Sequence, residues 1–264
     1  MNERVLPAPD ETLDQLGHGW WIFQLARGHR FSTDDLATAW RASLAVPDAA
    51  AILDLGCGIG SVGLSTLLRL DRDGSKGVRM VGVEAQEVSI ALARKTVAYN
   101  HLEDRVELHH GDLREFAHPE RFRLITGSPP YIPEGKGLLS PVPQRAACRI
   151  ELRGSVYDYC AAARRHLAKD GRFVYVMAAA DPRTEDAPIA NDLVVVERWD
   201  WIFREGRPPL VTTMVCGRAE DGPFPPRVQG DLTVRNASGR WTQEYLAFRA
   251  EMGAPASVFE QTGV

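Results

Sequence analysis

At 264 residues, 44% hydrophobic and 25% charged, the chain is long enough to bury a sizeable core, and its composition excludes a disordered or fibrous protein. A formal net charge of -4 argues against a surface built throughout for nucleic acid. The 4 cysteines (Cys57, Cys148, Cys160, Cys216) form no CxxC pair, which excludes a zinc or disulfide framework and predicts reduced thiols in a cytoplasmic protein.

Met1 to Asp14 is polar and carries Pro7 and Pro9, so no signal peptide is expected there. Trp20–Leu25 followed by Arg27-Gly28-His29-Arg30 reads as a small hairpin. Ser32-Thr33-Asp34-Asp35 is a Ser-x-x-Asp start signal for a helix through Ala42. From there strands and helices alternate. Strands are expected at Ala51–Leu55, Val78–Val83, Val106–His109, Phe122–Thr126 and Phe173–Met177. Helices are expected at Ser61–Leu70, Glu87–Asn100 and Ser155–Leu167, with Asp71–Gly77 as a loop. Such alternation predicts a parallel sheet covered on both faces. Val194–Trp201 and Leu210–Cys216 are further strands, the second antiparallel to the first. A Pro/Gly-rich loop follows from Gly217, with a last strand at Asp231–Arg235 and a last helix at Thr242–Met252. No apolar run approaches the length of a membrane span.

Two loops carry the chemistry. Asp54-Leu55-Gly56-Cys57-Gly58-Ile59-Gly60 joins the first strand to its helix, where glycines let a ligand approach bare backbone. Gly58, Gly60 and Gly63 also satisfy the dinucleotide pattern G-x-G-x-x-G, so a nicotinamide oxidoreductase is weighed. Asp54 would repel a pyrophosphate and suits an ammonium or sulfonium, which favours S-adenosylmethionine. Glu84, at the end of the second strand and next to Ala85, is placed to bind ribose hydroxyls. Gly111-Asp112, before Leu113, ends the third strand and offers an acceptor for an adenine amine.

The second loop is Ser128-Pro129-Pro130-Tyr131. Neither proline can donate a backbone hydrogen bond, so the strand must stop in a stiff turn with free carbonyls. A hydroxyl and an aromatic ring flank that turn, which suits a planar amine. Serine as a hydrolytic nucleophile is disfavoured, because no nucleophile elbow surrounds it. Arg121 to Arg172 holds ten basic and four acidic residues, against the acidic balance of the whole chain. Lys136, Arg145, Arg149 and Arg153 are candidates for substrate phosphates or for ion pairs with Glu134 and Glu151. His109-His110 is not a metal pair, since adjacent strand residues face opposite ways, and no metal is expected. Trp20, Trp21, Trp199 and Trp201 read as packing residues.

The glycine loop resembles the first motif of the class I, Rossmann-like methyltransferases. Ser128-Pro129-Pro130-Tyr131 resembles the fourth motif, [Asn/Asp/Ser]-Pro-Pro-[Tyr/Phe/Trp], of enzymes that methylate planar amino groups. More of the chain resembles the bacterial tRNA1(Val) adenine-37 N6-methyltransferase group. The matching segments are Gly28–Asp34, the loop from Tyr131 through Arg149-Ile150-Glu151, and Leu232–Tyr245 with Gly239 and Thr242.

The resemblance implies a mostly parallel seven-stranded sheet with an antiparallel edge strand and helices on both faces. Residues 1–48 would be an N-terminal hairpin and helix packed near the cofactor site. Residues 49–264 would be the methyltransferase domain with a C-terminal strand and helix. S-adenosyl-L-methionine is the implied cofactor, with Phe31, Thr33 and Asp34 closing over it and Asp54, Gly56, Gly58, Gly60, Glu84, Ala85, Asp112, Leu113 and Ser128 binding it. Ser128, Pro129, Pro130 and Tyr131 are the implied catalytic set, and RNA (tRNA) the implied substrate. The tRNA enzymes usually carry Asn where this chain has Ser128, which is familiar from cytosine-N4 enzymes. Cytosine N4, a protein glutamine amide and a small-molecule amine are therefore alternatives, and so is a cofactor-binding protein without catalysis.

Overall fold

A computed structural model describes residues 5–72, 77–137 and 140–254. The chain opens on β1 (Glu11–Gly17) and β2 (Trp20–Leu25), an antiparallel hairpin. Its turn is at His18 and Gly19, whose φ angles of 44° and 88° suit a tight hairpin turn. The hairpin expected from Trp20 onward thus exists, but its partner strand precedes it. Glu11–Gly17 has no apolar alternation to announce a strand, so the sequence alone points to Arg27–Arg30 as the turn. The Phe23 N–H donates to Thr96 Oγ1 at 3.0 Å, and the Phe23 ring meets Tyr99 edge-on at 5.7 Å. Helix α1 (Thr33–Ala45) starts at Ser32 with the expected capping box.

The main sheet contains β3 (Ala51–Leu55), β4 (Arg79–Glu84), β5 (Val106–His110), β6 (Phe122–Gly127), β7 (Leu167–Ala178), β8 (Leu193–Ile202), β9 (Val211–Arg218) and β10 (Val228–Thr233). Their spatial order is β10-β8-β9-β7-β6-β3-β4-β5. Strands β3 to β7 are mutually parallel, and β9 is antiparallel to both β7 and β8. The antiparallel strand is therefore internal rather than at the edge. The β8–β9 hairpin folds back between β7 and β10, and β10 adds an eighth strand parallel to β8.

Helices α2 (Ser61–Arg72) and α3 (Glu87–Tyr99) cover one face, where Leu64, Leu67 and Ile90 meet Ile52, Leu124 and Val174. Helix α5 (Val156–His166) covers the other, where Tyr159, Cys160 and Ala163 meet Leu53, Leu55 and Ile125. The inward alternation of a strand buried on both sides explains why all of β3 is buried. The loop expected at Asp71–Gly77 begins later, because α2 runs through Arg72; residues 73–76 lie outside the described part. Two short helices were not foreseen: α4 (Pro143–Arg149) and α6 (Arg183–Ile189). Helix α7 (Gln243–Glu251) packs Tyr245 and Phe248 against α1 and Trp201. Trp201 is fully buried, whereas Trp21 is partly exposed. No helix among the described residues is long and apolar enough to cross a membrane.

Candidate active site

Strands β3, β4 and β6 end at one edge of the sheet, where open α/β sheets form their ligand crevice. A cavity of about 430 Å³ opens there, with Gly56, Gly58, Glu84, Ser128 and Tyr131 in its wall. The two loops singled out in the sequence therefore face one space, although about 70 residues separate them in sequence, because β3 and β6 pair directly, Leu55 beside Gly127.

The glycine loop is shaped from within. Gly56, Gly58 and Gly60 have φ of 60°, 56° and 89°, the left-handed region that favours glycine. A Cβ on Gly56 would lie 2.0 Å from the Tyr159 hydroxyl, whereas one on Gly58 would meet no atom within 4 Å. Gly56 is thus required by packing, and Gly58 leaves its backbone bare toward the cavity. The Gly58 N–H donates to Glu84 Oε2 at 2.9 Å, and the Gln86 N–H donates to Glu84 Oε1 at 2.6 Å. Glu84 therefore braces the loop from the neighbouring strand.

Asp54 is buried, and both its oxygens are occupied. Gly63 N–H donates to Oδ2 at 2.9 Å and Thr126 Oγ1 donates to Oδ1 at 2.8 Å. Burial outweighs these bonds and pushes the carboxyl up to about 7. Burial likewise raises Glu84 and Asp34 above their ordinary values, the second helped by the charge of Asp35. Asp35 lines the same cavity; it accepts from Ser61 Oγ at 2.7 Å and from Ser32 N–H at 2.8 Å. Four carboxyl groups thus line one cavity, which suits a cationic ligand whose charge would favour their ionised forms.

The proline turn is tied to the N-terminal segment. Tyr131 donates from its hydroxyl to Asp34 Oδ2 at 3.1 Å, and both residues line the cavity with Ser128, Pro129 and Pro130. Phe31 and Thr33 stand outside the lining. The Phe31 N–H donates to Gln24 Oε1 at 2.8 Å, and the Thr33 and Tyr245 hydroxyls bond at 2.8 Å. Ala85 and Leu113 line the cavity, while Asp112 turns its carboxylate onto Arg114 at 2.5 Å; that hydrogen bond lowers the Asp112 carboxyl below its ordinary value. Gly60 also lies outside the lining, against Leu64.

The four candidate basic residues divide. Arg149 and Arg153 line the cavity and are exposed; Lys136 is exposed away from the lining, and Arg145 donates to the Gly28 carbonyl at 3.2 Å. Among the described residues none of the four makes a salt bridge, and Glu151 pairs instead with Arg183 at 2.5 Å. The sequence reading missed Asp35, Gln86, Gln144, Cys148 and Tyr159 in the cavity wall. Only Tyr159 had a signal, as an aromatic residue on the inward face of its helix one turn after the Ser155 cap.

Residues 31–186 match the model of the family described as methyltransferase small domain. The chain belongs to this family. It is an S-adenosylmethionine-dependent methyltransferase with the class I, Rossmann-like fold. The methyltransferase is 25% identical over 226 residues to the tRNA1(Val) (adenine(37)-N6)-methyltransferase of Actinobacillus succinogenes, covering 84% of this chain and 89% of that one. Over 82 residues it is 37% identical to the release factor glutamine methyltransferase of Caulobacter vibrioides, which is 31% of this chain and 27% of that one. Its fold matches a predicted O-methyltransferase from Agrobacterium tumefaciens with a TM-score of 0.58 at 17% identity, covering 86% of this chain and all of that one.

Proposed function

We propose that this methyltransferase modifies an exocyclic amine on a planar base, adenine N6 in RNA, with tRNA as the carrier. The observation that carries the reading is the meeting of Ser128-Pro129-Pro130-Tyr131 with the glycine loop across one cavity. The named activity of the Actinobacillus relative, matched over 84% of this chain, supports it.

The cavity fits S-adenosylmethionine: Gly58 offers backbone with no side chain in the way, and Asp34, Asp35, Asp54 and Glu84 line it as carboxyl groups that a bound cation would favour in ionised form. That cofactor supplies an electrophilic methyl group. Glu84 and Ala85 are assigned to its ribose and Gly56 and Gly58 to its backbone contacts. Asp54 and Asp35 face its ammonium group, and Leu113 packs on its adenine. Asp112 acts from just outside this wall by holding Arg114, and Phe31, Thr33 and Gly60 act as its supports.

An aromatic amine is a poor nucleophile because its lone pair is delocalised into the ring. Ser128 Oγ and the Pro129 carbonyl accept its two hydrogens, which restores lone-pair density on nitrogen and aims it. The adjacent prolines hold both acceptors rigid, so little reorganisation is needed during transfer. Tyr131 stacks on the base, and the remaining rate comes from alignment. The product amine releases its proton to water. A base in a folded RNA must first leave its stack to enter the cavity. Arg149 and Arg153, exposed at the wall and without a salt bridge among the described residues, take flanking phosphates.

A second reading is methylation of a protein glutamine amide. It is favoured by the 37% identity to the Caulobacter protein over 82 residues and by the acidic chain as a whole. Purified enzyme incubated with S-adenosylmethionine and bulk tRNA, followed by nucleoside mass spectrometry, separates the two. New N6-methyladenosine supports the first; none in tRNA, with methylated glutamine in a release-factor peptide, overturns it.

A further inference from the structure

The basic segment Arg121–Arg172 is only half accounted for by the cavity. Arg149 and Arg153 stand at the active site, but Arg121, Arg164 and Arg165 gather elsewhere. They line a separate pocket of about 510 Å³ with Phe116, His118 and His166. It lies at the opposite edge of the sheet, where β6 starts at Phe122 and β7 starts at Leu167. Helix α5 connects the two sites, with Tyr159 in the cavity wall and Arg164, Arg165 and His166 at the pocket.

The charge in this pocket is only partly neutralised. Arg164 pairs with Glu220 at 2.9 Å, and Arg218 pairs with the same glutamate and with Asp221. Among the described residues Arg165 donates only to the carbonyls of Leu113 and Arg114, each at 3.0 Å. Arg121 is exposed and makes no hydrogen bond or ion pair among the described residues. The groups acting electrostatically on the buried His166 are Arg165, Arg121 and His118, all positive or able to become so.

Donors and rings are arranged together. His118 Nδ1 accepts from the Glu120 N–H at 3.2 Å, so its other nitrogen carries the proton. His118 stacks with Phe116 at 6.2 Å and 23°, and His166 meets Phe116 at 5.4 Å. Guanidinium groups beside stacked rings are what a nucleotide recognises, phosphate on the one and base on the other.

We propose that the pocket formed by Phe116, His118, Arg121 and Arg165 binds the sugar-phosphate backbone of the RNA substrate, at a distance from the base being methylated. The inference rests on the RNA reading above and adds a second anchoring point to it. Arg165 joins the two sites, since the Leu113 carbonyl it holds belongs to a residue in the cavity wall.

The test uses Arg121→Glu, at an exposed position that supports nothing else, with Arg94→Glu as a control. Arg94 is also exposed and makes the same change in net charge, but sits on α3 across the sheet. Binding of bulk tRNA is measured by filter retention at several salt concentrations. Arg121→Glu is expected to weaken binding about 5- to 10-fold and to reduce the slope of log affinity against log salt by about one. Arg94→Glu is expected to change affinity less than 2-fold. Equal loss in both variants, or wild-type affinity and slope in Arg121→Glu, overturns the site. If the wild type binds no tRNA, the RNA reading falls and this inference with it. If pyrophosphate shifts the His118 imidazole resonance while Arg121→Glu leaves tRNA affinity intact, the pocket serves a free phosphate and the backbone assignment is wrong.

Discussion

The Tyr131 hydroxyl donates to Asp34 Oδ2 at 3.1 Å across 97 residues of chain. The bond pins the ring that closes the proline turn to the first turn of α1, so the proposed base stacking would depend on the N-terminal segment. Burial and this carboxylate push the Tyr131 phenol well above its ordinary value, which keeps it a donor at every working pH. Tyr131→Phe keeps the ring and loses the anchor. It is expected to lower kcat/KM about 10-fold, or about 1.4 kcal/mol, as for a hydrogen bond to a charged group. Tyr131→Ala loses the stacking surface as well and falls by a further 10-fold or more. Steady-state methyl transfer to tRNA measures both, and equal rates for wild type and Tyr131→Phe would show the anchor to be idle.

On the proposed mechanism Ser128 selects the amine. Ser128→Ala removes one acceptor of the amine and is expected to lower kcat by about 10- to 100-fold. Cofactor affinity, followed by calorimetric titration, is expected to hold within about 3-fold. Ser128→Asn restores a longer acceptor and is expected to retain or raise transfer to adenine. Complete loss in that variant would mean a pocket built for another amine.

Gly56 and Gly58 are two residues apart and are expected to fail differently. Gly56→Ala drives a Cβ to 2.0 Å from the Tyr159 hydroxyl in a left-handed backbone, so the variant should lose several degrees of Tm or fail to express. Gly58→Ala meets open space, so its fold should lose only about 1–2 kcal/mol from backbone strain. Its methyl group projects where a ligand would lie, and cofactor affinity should drop at least about 10-fold. Thermal melts and calorimetry on the two proteins distinguish the cases.

Asp54 makes stability depend on pH in a defined direction. Its carboxyl titrates near 7 in the fold and near 3.8 without it, so the folded protein holds a proton that the unfolded chain has released between those values. The associated stability is fully present below about pH 4 and is lost as pH rises through about 7. Asp54→Asn does not titrate. The stability of the wild type relative to Asp54→Asn should therefore decline by a few kcal/mol from pH 4 to pH 7 and then level off. Urea unfolding at each pH measures the difference; a flat or rising difference would show that Asp54 stays ionised.

What the sequence by itself determined is local. Glycines after a strand, a capping box at Ser32 and two prolines at a strand end act through their own backbone torsions and missing N–H groups. The cofactor loop, the start of α1 and the Ser128–Tyr131 turn were therefore legible without a fold. The tertiary structure decided everything that needs two distant segments. Only the pairing of β3 with β6 brings the two motifs to one cavity. Only packing places Tyr159 beneath Gly56, gives Glu151 to Arg183 rather than to its sequence neighbours, and inserts β9 between β7 and β8. Such contacts are chosen by burial and charge summed over the whole molecule, and one-dimensional spacing carries no record of that sum. Ser128 and Tyr131 show the division: the turn was written in the prolines, and its anchor on Asp34 was written in the fold.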